Sequence, residues 1–74
     1  MQIYIAYCND RHIDPVIRVF KSFKSALEFA KEFVKENARF PEDVKEERVA
    51  GWLYYCQYSC EGDSVHVEAG ELLP

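Results

Sequence analysis

Residues 9–15 read NDRHIDP, which puts Asp10, Arg11, His12 and Asp14 within one short stretch. A histidine held between carboxylates can move a proton or ligate a metal ion. General-base chemistry also needs a nucleophile, an oxyanion donor or a second base nearby, and the flanking residues supply none. The same residue types build polar turns, with Asn9, Asp10 and Asp14 accepting backbone N–H groups while Arg11 and His12 stay solvated. The stretch is therefore read as the connection of a hairpin.

Cys8, His12, Cys56, Cys60 and His66 offer zinc-ligand types, but their spacing is poor. On a single strand Cys56 and Cys60 would lie roughly 13 Å apart, too far for one ion to bridge. A nucleophilic thiolate needs a basic or helix-N-terminal setting, which none of the three cysteines has by sequence. The three glycines, at 51, 62 and 70, form no phosphate-cradling loop. No catalytic residue, metal ligand set or cofactor site is assigned, and the chain is not expected to be an enzyme.

The elements that must position these residues follow from the apolar pattern. IYIAYC at 3–8 and PVIRVF at 15–20 are β-branched and aromatic and read as two strands of an antiparallel hairpin, with Pro15 at a first strand position. SFKSALEFAKEFVKEN at 22–37 is a helix. Phe23, Ala26, Leu27, Ala30, Phe33 and Val34 fall on one face of it, widened by Phe29. Ser22 or Ser25 caps it, Ser25 and Glu28 have capping-box spacing, and Asn37 is its stop. Pro41 can start one or two further helical turns within 41–48, a point the sequence leaves open. GWLYYCQYSC and SVHVEAGELL flank EGD and form a second hairpin turning at Glu61 and Gly62. That turn pairs Tyr58 with Val65, Cys56 with Val67 and Tyr54 with Ala69. Trp52, Tyr54, Cys56, Tyr58, Val65 and Val67 then share the buried face, opposite Leu53, Tyr55, Gln57, His66 and Glu68.

The expected fold is α+β, a two-layer sandwich of β-β-α-β-β order. It has a four-stranded antiparallel sheet and one main helix on one face, as a single domain over 1–74. Either the first and last strands or the second and third are central. The core is drawn from Ile3, Ile5, Tyr7, Ile17, Val19, Phe23, Leu27, Ala30, Phe33, Val34, Trp52, Tyr54 and Val67. The other sheet face then shows Tyr4, Ala6, Phe20, Leu53 and Tyr55 beside Arg18, Gln57, His66 and Glu68. A contiguous apolar face of this kind marks a dimer or partner site.

Bulk properties narrow the function classes. With 49% hydrophobic and 30% charged residues the chain is globular. Nine basic residues interspersed with thirteen acidic ones give a net charge of −4, which disfavours nucleic-acid binding and is too mixed for nucleic-acid mimicry. Three cysteines, an odd number without CxxC, suit a reducing compartment, and no apolar run approaches membrane-span length. The expectation is a soluble cytoplasmic protein.

IYIAY, DRHIDP, VIRVF before an amphipathic helix, GWLYY and CEGDSVHVE together resemble small uncharacterised proteins of bacteria and their phages, over nearly the whole chain. The resemblance implies a β-β-α-β-β fold and an accessory or inhibitor protein that binds a host or defence component. It carries over no functional residues. The expected function is a non-enzymatic protein-binding module, a homodimer, acting through its aromatic sheet face at Tyr4, Arg18, Phe20, Leu53, Tyr55 and His66. The alternative is a ligand- or nucleotide-sequestering protein with a site at a dimer seam around Tyr4, Arg18, Tyr55 and His66.

Overall fold

The computed structural model describes residues 1–73. Strands β1 (Gln2–Asn9) and β2 (Val16–Phe20) lead into helix α1 (Phe23–Asn37) and a 3₁₀ turn at Pro41–Asp43. Then come β3 (Lys45–Glu46), β4 (Tyr54–Gln57) and β5 (Ser64–Glu71). The fold is α+β, with one α-helix and a five-stranded antiparallel sheet in the order β2-β1-β5-β4-β3. The expected four-stranded sheet gains β3 because residues 45–46 leave the 3₁₀ turn extended and pair with Cys56 and Gln57. The segment 41–48 therefore holds one 3₁₀ turn instead of further α-helical turns. The first and last long strands, β1 and β5, are neighbours near the middle of the sheet, one of the two expected orders.

Helix α1 begins where a serine can cap it. Ser22 is extended and its Oγ accepts the Ser25 N–H at 3.1 Å, which makes Ser22 the cap and not Ser25. At the far end the Asn37 side chain donates to the Phe33 carbonyl at 2.8 Å. The helix buries Ala26, Ala30, Phe33 and Val34, the apolar stripe its spacing dictates.

The face of the first hairpin that meets this stripe is the opposite of the expected one. Ala6 and Cys8 are buried, with Tyr4, Val16 and Phe20 packed against the same core. Ile3, Ile5, Tyr7, Ile17 and Val19 lie on the other face. The reason lies in size. Ala6, Ala26 and Ala30 are all fully buried and let the helix approach the sheet closely, whereas Ile3 and Ile5 beneath it would hold it off. Both faces of these strands are apolar, so alternation alone could not choose between them. Tyr4 and Phe20 complete the contact from the sheet, with rings 6.0 Å from Phe23 and 5.5 Å from Phe29.

The second hairpin keeps its expected faces but shifts by two residues. Tyr54 pairs with Val67 and Cys56 with Val65, and Tyr58 N–H donates to the Asp63 carbonyl at 2.9 Å. The connection is therefore the wider Ser59–Gly62 loop, with Gly62 at φ +94°. Because the side-chain period is two, an even shift leaves Cys56, Tyr58, Val65 and Val67 buried. Trp52 departs from its expected core position. Gly51, at φ +89°, reverses the chain just before it, and the indole stacks on His66 at 3.8 Å, on the face away from the helix. Leu53 N–H then bonds the Val67 carbonyl at 2.7 Å, and β4 begins only at Tyr54.

Candidate functional site

Two places collect the residues that carry chemistry. The first is the end of the sheet where the β1–β2 and β4–β5 connections meet, as they must because β1 and β5 are neighbours. Asp10 Oδ1 accepts the His12 N–H at 2.8 Å and Oδ2 accepts the Tyr58 hydroxyl at 2.6 Å. Asp63, only 3% exposed, accepts the Arg11 N–H at 2.8 Å and the Ser59 hydroxyl at 2.9 Å. Each carboxylate oxygen thus has a donor, and the two loops are stapled by bonds that span 48 and 52 residues of sequence. Burial pushes the Asp10 carboxyl up. The Tyr58 hydroxyl, the His12 N–H and the nearby His12 and Arg39 side chains outweigh it and hold the group below the usual carboxylate range. Burial, and then the Asp10 carboxylate, push the Tyr58 phenol well above its ordinary value.

Asp10, His12 and Asp63 are the residues here that could hold a divalent cation, since their donor atoms lie within 4.8 Å of one another. Two ligands on one ion sit at most roughly 4.2 Å apart, so the side chains would have to close around it. His12 Nε2 instead lies 3.3 Å from Glu61 Oε2 in an exposed pair, and Asp14 is exposed. The adjoining cleft, about 250 Å³ and walled also by Arg39, Phe40 and Cys60, is below the roughly 300–1,000 Å³ of common small-molecule sites. NDRHIDP forms the polar β1–β2 connection; within it Asp10 and the Arg11 N–H tie this loop to the next, while Asp14 is exposed, and the partners Asp63, Ser59 and Tyr58 were not expected from the sequence.

The cysteines do not join this cluster. All three are free, Cys8 and Cys56 buried and Cys60 exposed. Burial pushes the Cys8 thiol up to about 11 against the pull of Arg18, and burial likewise raises Cys56. Both are thiols and not thiolates at neutral pH.

The second place is the sheet face away from the helix. Ile3, Ile5 and Tyr7 of β1, His66 and Glu68 of β5, and Tyr55 of β4 lie there half-buried against one another. Ile17 and Val19 of edge strand β2 extend the face at 54% and 59% exposure. An aromatic row crosses it: Tyr7 stacks on His66 at 4.8 Å, His66 on Trp52 at 3.8 Å, and Trp52 on Tyr55 at 5.4 Å. Burial lowers the His66 pKa, with Glu68 opposing. The Glu68 carboxylate, together with burial, raises the Tyr7 phenol. Gly70 belongs to this face because a Cβ there would meet Ile5 Cδ1 at 3.1 Å.

The six residues expected on this face divide. Tyr55 and His66 are on it. Leu53, 50% exposed, sits just before β4 beside Trp52. Tyr4 and Phe20 are under the helix. Arg18 pairs with Ala6 across β1 and β2, so it points to the helix side of the edge strand. Tyr4, Arg18, Tyr55 and His66 accordingly do not converge on one site. In their place the open face presents Ile3, Ile5, Tyr7, Ile17, Val19 and Trp52, whose apolar character was plain in the sequence while their side of the sheet was not.

No protein-family model matches this chain, and no curated protein or solved structure matches it significantly. Among the described residues no helix is long and apolar enough to cross a membrane.

Proposed function

We propose that this protein is a non-enzymatic binding module whose working surface is the open face of its sheet, and that it meets another protein there. The carrying observation is the pair of β-branched residues Ile17 and Val19, more than half exposed at the margin of an apolar face. A sheet is stable when each apolar face is covered, and here one helix covers one of them. The aromatic row adds large, rigid side chains of the kind that anchor protein interfaces. The other candidate chemistry argues in the same direction. The Asp10 and Asp63 oxygens are engaged in holding loops together, and two of the three thiols are buried and protonated. Homodimerisation, expected from the sequence, is the simplest form of this reading.

Native mass spectrometry on gently purified protein tests it. Wild type should carry a second polypeptide in fixed ratio. Val19→Glu should lose it while its far-UV spectrum stays native, because an ionised carboxylate would be buried without a partner. A stoichiometric metal or small-molecule mass on an isolated chain would overturn it.

A further inference from the structure

We infer that a groove on the helix side of the sheet, between α1 and the β4–β3 end, takes an acidic, extended peptide segment. This groove is separate from the open face, so the inference stands or falls apart from the proposed function.

The groove follows from where the helix sits. Helix α1 lies over β1, β5 and β2, and the sheet continues past it through β4 to edge strand β3. The step between helix and strands is a trough of about 500 Å³, within the roughly 300–1,000 Å³ range of ligand sites. Its floor is apolar, with Val34 and Ala38 from the end of the helix and Val44 and Tyr54 from the sheet side. Among the described residues no strand follows β3 at this edge, so the trough is open there. An open trough admits a chain that runs on into solvent at both ends.

Charge names the occupant. Three of the nine basic residues line the groove, Lys31, Lys35 and Arg39, against one carboxylate, Glu46. The chain carries −4 overall, so this is a local positive patch on an acidic protein, and it favours an anion. None of the three cations makes an ion pair among the described residues. Lys31 Nζ leans over the floor, 6.0 Å from the centroid of the Tyr54 ring. Arg39 stands between this groove and the Asp10 cleft. Burial, and then its hydrogen bond to Glu46, raise the Tyr54 phenol. The phenol therefore stays protonated and holds the one carboxylate of the groove at its sheet side.

Spacing adds the extended conformation. Lys31 and Lys35 are four residues apart on α1, a rise of about 6 Å along the helix axis. Side chains on one side of an extended peptide recur about every 6.6 Å. Two carboxylates two residues apart thus match two cations one helical turn apart, and an apolar residue of the same peptide can rest on the floor.

Fluorescence anisotropy with fluorescein-labelled Glu-Leu-Glu-Val-Glu, at low and high salt, tests the inference. The comparison probe is Gln-Leu-Gln-Val-Gln, which keeps the apolar residues and removes the charge. Wild type should bind the acidic peptide, more weakly as salt rises, and the neutral one at least about fivefold less well. Lys35→Gln should weaken binding about two- to fivefold, the contribution of one exposed ion pair, and Lys35→Glu more, with native far-UV spectra. Lys24→Glu, on the first turn of the helix, should leave it unchanged, as should Val19→Glu on the open face. Equal binding of the neutral peptide, no binding of the acidic one, or indifference to Lys35→Glu would overturn the inference. Loss of binding in Val19→Glu would move the peptide to the open face and overturn the groove as its site. Displacement of the peptide by glutarate at equal concentration would replace the peptide with a small dicarboxylate as occupant.

Discussion

The Tyr58–Asp10 hydrogen bond offers a measurable test of how this small domain holds its loops. Tyr58 is 1% exposed, with its ring 6.0 Å from Phe33 in an edge-on contact and its hydroxyl 2.6 Å from Asp10 Oδ2. Tyr58→Phe keeps the ring and removes only the donor. Hydrogen bonds to a charged group contribute about 1.5–3 kcal/mol. Asp10 is half-exposed and keeps its bond from the His12 N–H, so water can partly replace the lost donor and the lower figure, about 1.5 kcal/mol, applies. For a domain of this size that lowers the melting temperature by about 6–12 °C. The sign of the pH dependence follows from Asp10. Its folded pKa lies below the ordinary value of about 3.9, so its contribution is present above that value and is lost as pH falls through the folded pKa. Without the Tyr58 donor the folded pKa moves back toward the ordinary value. The gap between wild type and variant should be full at neutral pH and shrink in acid. The assay is thermal unfolding of wild type, Tyr58→Phe, Asp10→Asn and the double variant across pH, where the cycle should return a coupling of about 1 kcal/mol at neutral pH. A gap independent of pH, or additive variants, would refute the charge-assisted bond as the cause.

Two further outcomes follow from the same structure. Gly51→Ala should cost about 1 kcal/mol, because a side chain at φ +89° is strained although its Cβ meets no atom within 4 Å. Loss of the turn should also free Trp52 from His66 and red-shift its fluorescence; unchanged stability and emission would show that the turn does not set the stack. In the native state a thiol reagent should modify one cysteine, Cys60, because Cys8 and Cys56 are buried. Prompt modification of two or three, with denatured protein as the reference, would contradict the burial of that core.

The helix, both hairpins and the polar nature of NDRHIDP were legible in the residues, because they depend on local periods and turn chemistry. Phe23 to Val34 repeat at helical spacing, and Gly62 supplies the left-handed turn residue. The buried set Cys56, Tyr58, Val65 and Val67 was legible for the same reason, since a two-residue change of register preserves faces. The tertiary structure alone decided which side of β1 and β2 the helix covers, since Ile3-Tyr4-Ile5-Ala6-Tyr7 is apolar on both sides. That choice turns on how closely Ala26 and Ala30 of the helix can approach Ala6 across the sheet, a contact between residues far apart in sequence. The same decision exposes Ile17 and Val19, hides Tyr4 and Phe20, and turns Arg18 away from His66. Strand order is the other tertiary decision: the pairing of β1 with β5 brings Asp63 under the first loop, within reach of the Arg11 N–H.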